Sequence, residues 1–126
     1  MADSSPGAPP SAGNGGASVA GPTISTHVLD TELGTPAVGI RVTLYRLDVA
    51  AAPIRMTQAL TDADGRVRDL LERPLTAGDY RLEFDTARGE AFFTRVALDI
   101  RVTDPARSYH VPLLLAPFSM TTYRGS

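Results

Sequence analysis

The sequence predicts an all-β protein, a β-sandwich, on three observations. Apolar and polar side chains alternate with period two over three separate stretches, the mark of half-buried strands. Clusters of Gly, Pro and Asp separate those stretches at regular intervals. Helical periodicity is nearly absent, and many short strands joined by tight turns fold as a sandwich. At 126 residues the chain is sized for one domain.

Residues 1–22, "MADSSPGAPPSAGNGGASVAGP", hold almost no large apolar side chain. Such a segment buries too little surface to offset its ordering entropy, so a disordered tail is expected. A secretory leader needs a basic start and an apolar stretch, whereas Asp3 is the only charge here. The domain is expected to run from residue 23 to 126. "ISTHVLD" opens it as a strand, and "ELGTPAVG" turns it with Gly34, Pro36 and Gly39. "GIRVTLYRL" sets Ile40, Val42 and Leu44 on one face. "TDADGR" is a turn in which Asp62 and Asp64 can bond the backbone and Gly65 can take a positive φ. "RDLLER", stopped by Pro74, is the best candidate for one short helix. "DYRLEFD" then puts Tyr80, Leu82 and Phe84 on one side. A second short helix, a single turn, is expected within "DTARGEAFF". "TRVALDIRVT" alternates most cleanly, with Val96, Leu98, Ile100 and Val102 inward. In "SYHVPLLLAPFSMTTYRGS", Pro112 interrupts an apolar run. Proline cannot donate to a ladder, so the segment should lie at an edge or break its pairing there. An uncharged edge wants covering, which suggests an oligomer.

Composition narrows the function. A net charge of −2 is unlike the basic stripe of a nucleic-acid binder, and no apolar run approaches the ~18–20 residues of a membrane helix. With no cysteine, disulfides and thiolate metal sites are excluded. Neither of the two histidines, His27 and His110, stands in an H-E-x-x-H pattern, so no metal is expected. No cofactor motif is present, and the cytoplasm is the expected location.

Four small groups of residues have chemical potential. His27 shares a strand face with Ser25 and Leu29, opposite Ile24, Thr26 and Val28. Taken alone it reads first as a hydrogen-bonded surface histidine; the sharper reading is a general base, since imidazole titrates near neutrality. His110 faces the same way as Pro112 and Leu114, an unusual place for a polar ring, and it could be an interface histidine. Arg66 leaves the D-G-R turn, and Arg124 lies near the C-terminal end. Each reads as a solvated arginine or as a fork for a planar anionic ligand.

"STHVLDTELGTPAVGIRVTLYRL", "TDADGRV", "LTAGDYRLEFD" and "YHVPLLLAPFSMTTYRGS" together resemble, in order, the transthyretin-like family and specifically its 5-hydroxyisourate hydrolases. The final Tyr123-Arg124-Gly125-Ser126 is the most specific mark of the resemblance, because it separates the enzymes from the hormone carriers of the same fold. The resemblance implies a two-sheet prealbumin-like sandwich with one short helix. It implies a homotetramer, a dimer of dimers around a channel. Its substrate would be a small molecule, 5-hydroxyisourate, opened hydrolytically to 2-oxo-4-hydroxy-4-carboxy-5-ureidoimidazoline in urate degradation. His27, Arg66, His110 and Tyr123–Ser126 match the family's active-site positions. One imidazole would be the base, while the other would orient the water or protonate the leaving nitrogen. Arg66 would hold substrate oxygens, Tyr123 and Arg124 would bind the ring, and Ser126 would hold an imidazole or Arg124 in place. Ser108 stands where the family often has His, and Met120 replaces a frequent aromatic. Two other readings stand beside the enzyme: a carrier of a small apolar ligand, and a β-sandwich interaction domain.

Overall fold

The computed structural model describes residues 21–125, so the tail expected over residues 1–22 lies almost wholly outside the described residues, as does Ser126. Among the described residues the chain is all β. Nine strands follow in order: β1 (Ile24–Asp30), β2 (Thr35–Pro36), β3 (Arg41–Asp48), β4 (Ala51–Leu60), β5 (Arg66–Val67), β6 (Gly78–Asp85), β7 (Arg95–Val102), β8 (Tyr109–Ala116) and β9 (Ser119–Thr122). One sheet runs β2-β1-β8-β9, with β5 also paired to β1; the other runs β4-β3-β6-β7. All pairs are antiparallel except β1 with β8, which run parallel.

The alternation read from the sequence decides which faces meet. Val42 and Leu44 of β3 and Tyr80, Leu82 and Phe84 of β6 are fully buried. They oppose Ile24 and Val28 of β1 and Tyr109, Val111 and Leu113 of β8 across one core. Val96 and Val102 of β7 join them, with Leu98 and Ile100 packed at the margin. The core face of β1 is therefore the Ile24–Thr26–Val28 face, and the buried Thr26 hydroxyl is satisfied by donating to the Val111 carbonyl (2.6 Å). His27 and His110 are left on the outer face of the β1–β8 pair.

Two expectations are corrected. "RDLLER" is not a helix. Leu70 and Leu71 are both buried as a plug in the core, and the backbone there is committed to long-range bonds. Leu70 N–H donates to the Ile24 carbonyl (2.9 Å), and the Leu70 carbonyl accepts the Thr57 hydroxyl. Asp69 accepts from the Leu71 and Glu72 amides, and Glu72 takes a positive φ of 56°. A helix would spend those same groups on itself. "DTARGEAFF" likewise holds turns only.

The second correction concerns "VPLLL", which is not an edge: β8 is flanked by β1 and β9 of its own chain. The break at Pro112 is real, however. The β8–β9 ladder stops at Leu113–Thr122 and resumes only as a bridge between His110 and Gly125. The His110 carbonyl accepts from Gly125 N–H (2.8 Å), so the alternate backbone groups of Pro112 face the same side. That side is the gap in the β8–β9 ladder, so the missing N–H leaves the pairing with β1 intact, and the Pro112 carbonyl accepts the Thr122 hydroxyl (2.8 Å).

Truncating the centre of this core tests the packing. Leu82→Ala removes a side chain with no exposure and should cost about 2–5 kcal/mol, read as a lower denaturant midpoint at unchanged slope.

Candidate functional site

The outer face of β1 carries the site, and the turn before β5 is built to lie against it. The Asp62 carboxylate accepts from the amides of Asp64 (2.8 Å) and Arg66 (3.0 Å). The Asp62 backbone exchanges bonds with Gly65 and Arg66, and Gly65 closes the turn at φ +77°. Gly65 then approaches β1 so closely that a Cβ there would strike the Val28 carbonyl oxygen. In return, its own carbonyl accepts from Val28 N–H (2.7 Å). The result is a two-residue strand whose register puts Arg66 directly opposite His27. Cross-strand partners share a face, so guanidinium and imidazole are neighbours.

On the other side of β1, the parallel register pairs Ser25 with His110 and His27 with Pro112. His110 is half-buried, and its Nδ1 lies 2.8 Å from Ser25 Oγ. The C-terminal segment runs back along β8 and brings Gly125 against the other side of the ring. A Cβ on Gly125 would sit 2.6 Å from His110 Cδ2. The imidazole is thus bracketed by a hydroxyl and a bare backbone.

Both imidazoles favour the neutral form. Burial holds His27 below its ordinary value, and the Arg66 charge adds to this. A hydrogen bond to the Asp64 backbone and the carboxylates of Asp62 and Asp64 oppose it. His110 is lowered by burial, then by Arg66, then by His27. Among the described residues Arg66 takes part in no ion pair. A neutral imidazole can take a proton from water, and a guanidinium beside it can hold developing negative charge. No cluster of three or more His, Cys, Asp or Glu side chains is placed to share a cation among the described residues.

The structure therefore brings His27, Arg66 and His110 onto one face, with Gly125 against His110. Extending the β9 register puts the exposed Tyr123 opposite Pro112, on that same side. Arg124, the next residue, lies differently. Alternation turns it the other way, and its guanidinium lies over the Tyr109 ring at 4.7 Å from the centroid, a cation–π contact that anchors the tail. Ser126 lies outside the described residues. Ser25 had no role assigned from the sequence; its only signal was its place on the His27 face. The cavity of about 530 Å3 lies elsewhere, between Asp30, Arg88, Phe93 and Phe118, and contains none of these groups.

The profile of the HIUase/Transthyretin family matches residues 24–125. A mouse protein named 5-hydroxyisourate hydrolase is 40% identical over 111 residues, covering 82% of this chain and 94% of its own. The solved structure of Klebsiella pneumoniae 5-hydroxyisourate hydrolase superposes with a TM-score of 0.73 at 37% identity, over 83% of this chain and 99% of that one. Sea bream transthyretin in complex with thyroxine superposes with a TM-score of 0.75 at 28% identity, over 81% and 93%.

The lowered imidazoles bear on stability. Between their folded values and the ordinary 6.5, the unfolded chain binds more protons than the folded one, so stability rises with pH across that window. Urea midpoints should therefore fall as pH drops below about 6.5. In a His27→Gln/His110→Gln double variant the fall should be shallower.

Proposed function

The chain belongs to the HIUase/Transthyretin family, and we propose that it hydrolyses 5-hydroxyisourate to 2-oxo-4-hydroxy-4-carboxy-5-ureidoimidazoline, a step of urate degradation. The observation that carries the assignment of residues is the register itself: Arg66 opposite His27, and His110 one strand away on the same face.

The reaction adds water across one bond of the substrate ring. Hydroxide goes to a carbonyl carbon, the bond from that carbon to the adjacent nitrogen breaks, and the nitrogen leaves with a proton. Water is a poor nucleophile at neutral pH, so one neutral imidazole takes its proton as it attacks. The tetrahedral intermediate carries charge on oxygen, and the Arg66 guanidinium stabilises it at close range. The resulting imidazolium delivers that proton to the departing nitrogen, beside which the second imidazole places a ring N–H. Tyr123, on the same side, helps hold the flat ring. Arg124, engaged by Tyr109, has no part in this scheme.

On a single chain this face is open. Half-exposed side chains on a sheet bind a small planar molecule poorly unless something encloses it. A homotetramer, a dimer of dimers with these faces lining a central channel, supplies the enclosure and belongs to the proposal. Residence in the cytoplasm belongs to it too. A carrier of apolar ligands fits less well, since the same face presents two imidazoles and a guanidinium.

The test generates 5-hydroxyisourate from urate with urate oxidase and follows its decay by ultraviolet absorbance. The protein should accelerate the decay, and no acceleration at micromolar protein overturns the assignment. His27→Ala and Arg66→Glu should each lower kcat/KM about 100-fold or more, with the light-scattering mass unchanged at a tetramer. Because the base must be neutral, kcat/KM should be flat near neutrality. It should fall on the acid side with an apparent pKa below 6.5.

A further inference from the structure

Among the described residues, Ser25 is a polar side chain that touches a ring of the proposed site and that the scheme above leaves idle. It is half-buried on β1, on the His27 face, and pairs across the parallel ladder with His110. Its Oγ lies 2.8 Å from His110 Nδ1, and among the described residues this is the only hydrogen bond its hydroxyl makes. A neutral imidazole carries one N–H, and the partner of one nitrogen decides which. A hydroxyl that donated nowhere would leave its proton without use, whereas donation into Nδ1 satisfies both groups in one contact.

We propose that Ser25 is a positioning residue that donates to His110 Nδ1, fixing the ring as the Nε2–H tautomer with that N–H turned to the substrate. This rests on the assignment of the hydrolysis to this face and divides the labour within it. With Nδ1 accepting from serine, His110 presents a donor. It hydrogen-bonds the departing nitrogen as its lone pair develops, and His27 is the one that takes the proton from water and passes it on to that nitrogen. His27 fits that part, because burial and the Arg66 guanidinium directly opposite it keep the ring neutral, with a lone pair on one nitrogen. Gly125 completes the device. The tail backbone lies 2.6 Å, at an added Cβ, from the far edge of the ring, so the imidazole cannot swing away from Ser25 without leaving its slot.

Nitrogen-15 spectra of the imidazoles in the wild-type tetramer at neutral pH test this without substrate. The chain has two histidines, so a His27→Gln variant assigns the signals. His110 should show a pyridine-type Nδ1 and a pyrrole-type Nε2. Ser25→Ala should mix the tautomers, and Ser25→Thr, which keeps the hydroxyl, should restore the single form. In the urate-oxidase-coupled assay, Ser25→Ala should lower kcat about tenfold with KM within about twofold, and Ser25→Thr should recover most of it. A pyrrole-type Nδ1 in the wild type overturns the proposal. So does an unchanged spectrum and kcat in Ser25→Ala. If Ser25→Ala fails to fold, the wild-type spectrum and Ser25→Thr still decide. Absence of any wild-type activity with the expected spectrum intact would instead fault the choice of reaction.

Discussion

The parallel register of β1 with β8 is the constraint on which the site depends. Ile24, Thr26 and Val28 are sealed in the core, so β1 cannot slide by one residue without turning an apolar face to water and His27 inward. Tyr109, Val111 and Leu113 hold β8 in the same way. Because the two strands run parallel with Ser25 against His110, their outer faces are locked as a pair. The distance between the two imidazoles is thus set by hydrophobic burial on the opposite side of the sheet. Precision of this kind comes from strands rather than loops, and it is what a small flat substrate requires.

Two glycines extend the same logic to segments that the core does not reach. Gly65 lets the Asp62–Arg66 turn press onto the backbone of β1, and Gly125 lets the tail press onto the ring of His110. At both places the absence of a side chain is the functional property, because only a bare backbone can come that near. The Asp62 carboxylate stiffens one approach. Arg124 stacked on Tyr109 stiffens the other. Neither of these charged residues faces the site, yet each fixes a group that does.

How much of this was legible beforehand depended on how strictly burial imposes a pattern. β3, β6 and β7 alternate cleanly because one face is packed and the other wet, so their inward residues could be named. β4 gave no such signal. It is an exposed edge strand with Pro53 in it, and it is broken by register shifts opposite Leu44–Tyr45 and Arg46–Asp48. "RDLLER" misled because two adjacent leucines and a capping aspartate suit a helix locally. The bonds that overrule it run to Ile24 and Thr57, far away in sequence. His27, Arg66 and His110 were nameable as residues, and their family resemblance joined them. The face they share had to come from the register. Ser25 was visible on that face but silent, since a serine in a strand means nothing until its partner is known. The placement of Arg124 was hidden for the converse reason: its chemistry suits the substrate, while alternation turns its guanidinium onto Tyr109.

In the proposed hydrolysis, Arg66 is what would make the three groups work as one. A guanidinium cannot give up its proton in a protein, so its charge is constant across the useful pH range. Acting on both histidines, that charge disfavours imidazolium and keeps a base available near neutrality. Acting on the substrate, it favours the oxyanion that the same base helps to create. Moving a proton from water to His27 would place an imidazolium beside the guanidinium, a repulsion that grows as the reaction proceeds. The developing oxyanion offsets it, because negative charge appears between the two cations as the second forms. The arrangement is therefore balanced only when substrate is present at the point of attack. In the proposed mechanism that is differential stabilisation of the transition state, with one fixed charge and two titratable rings on neighbouring strands as its means.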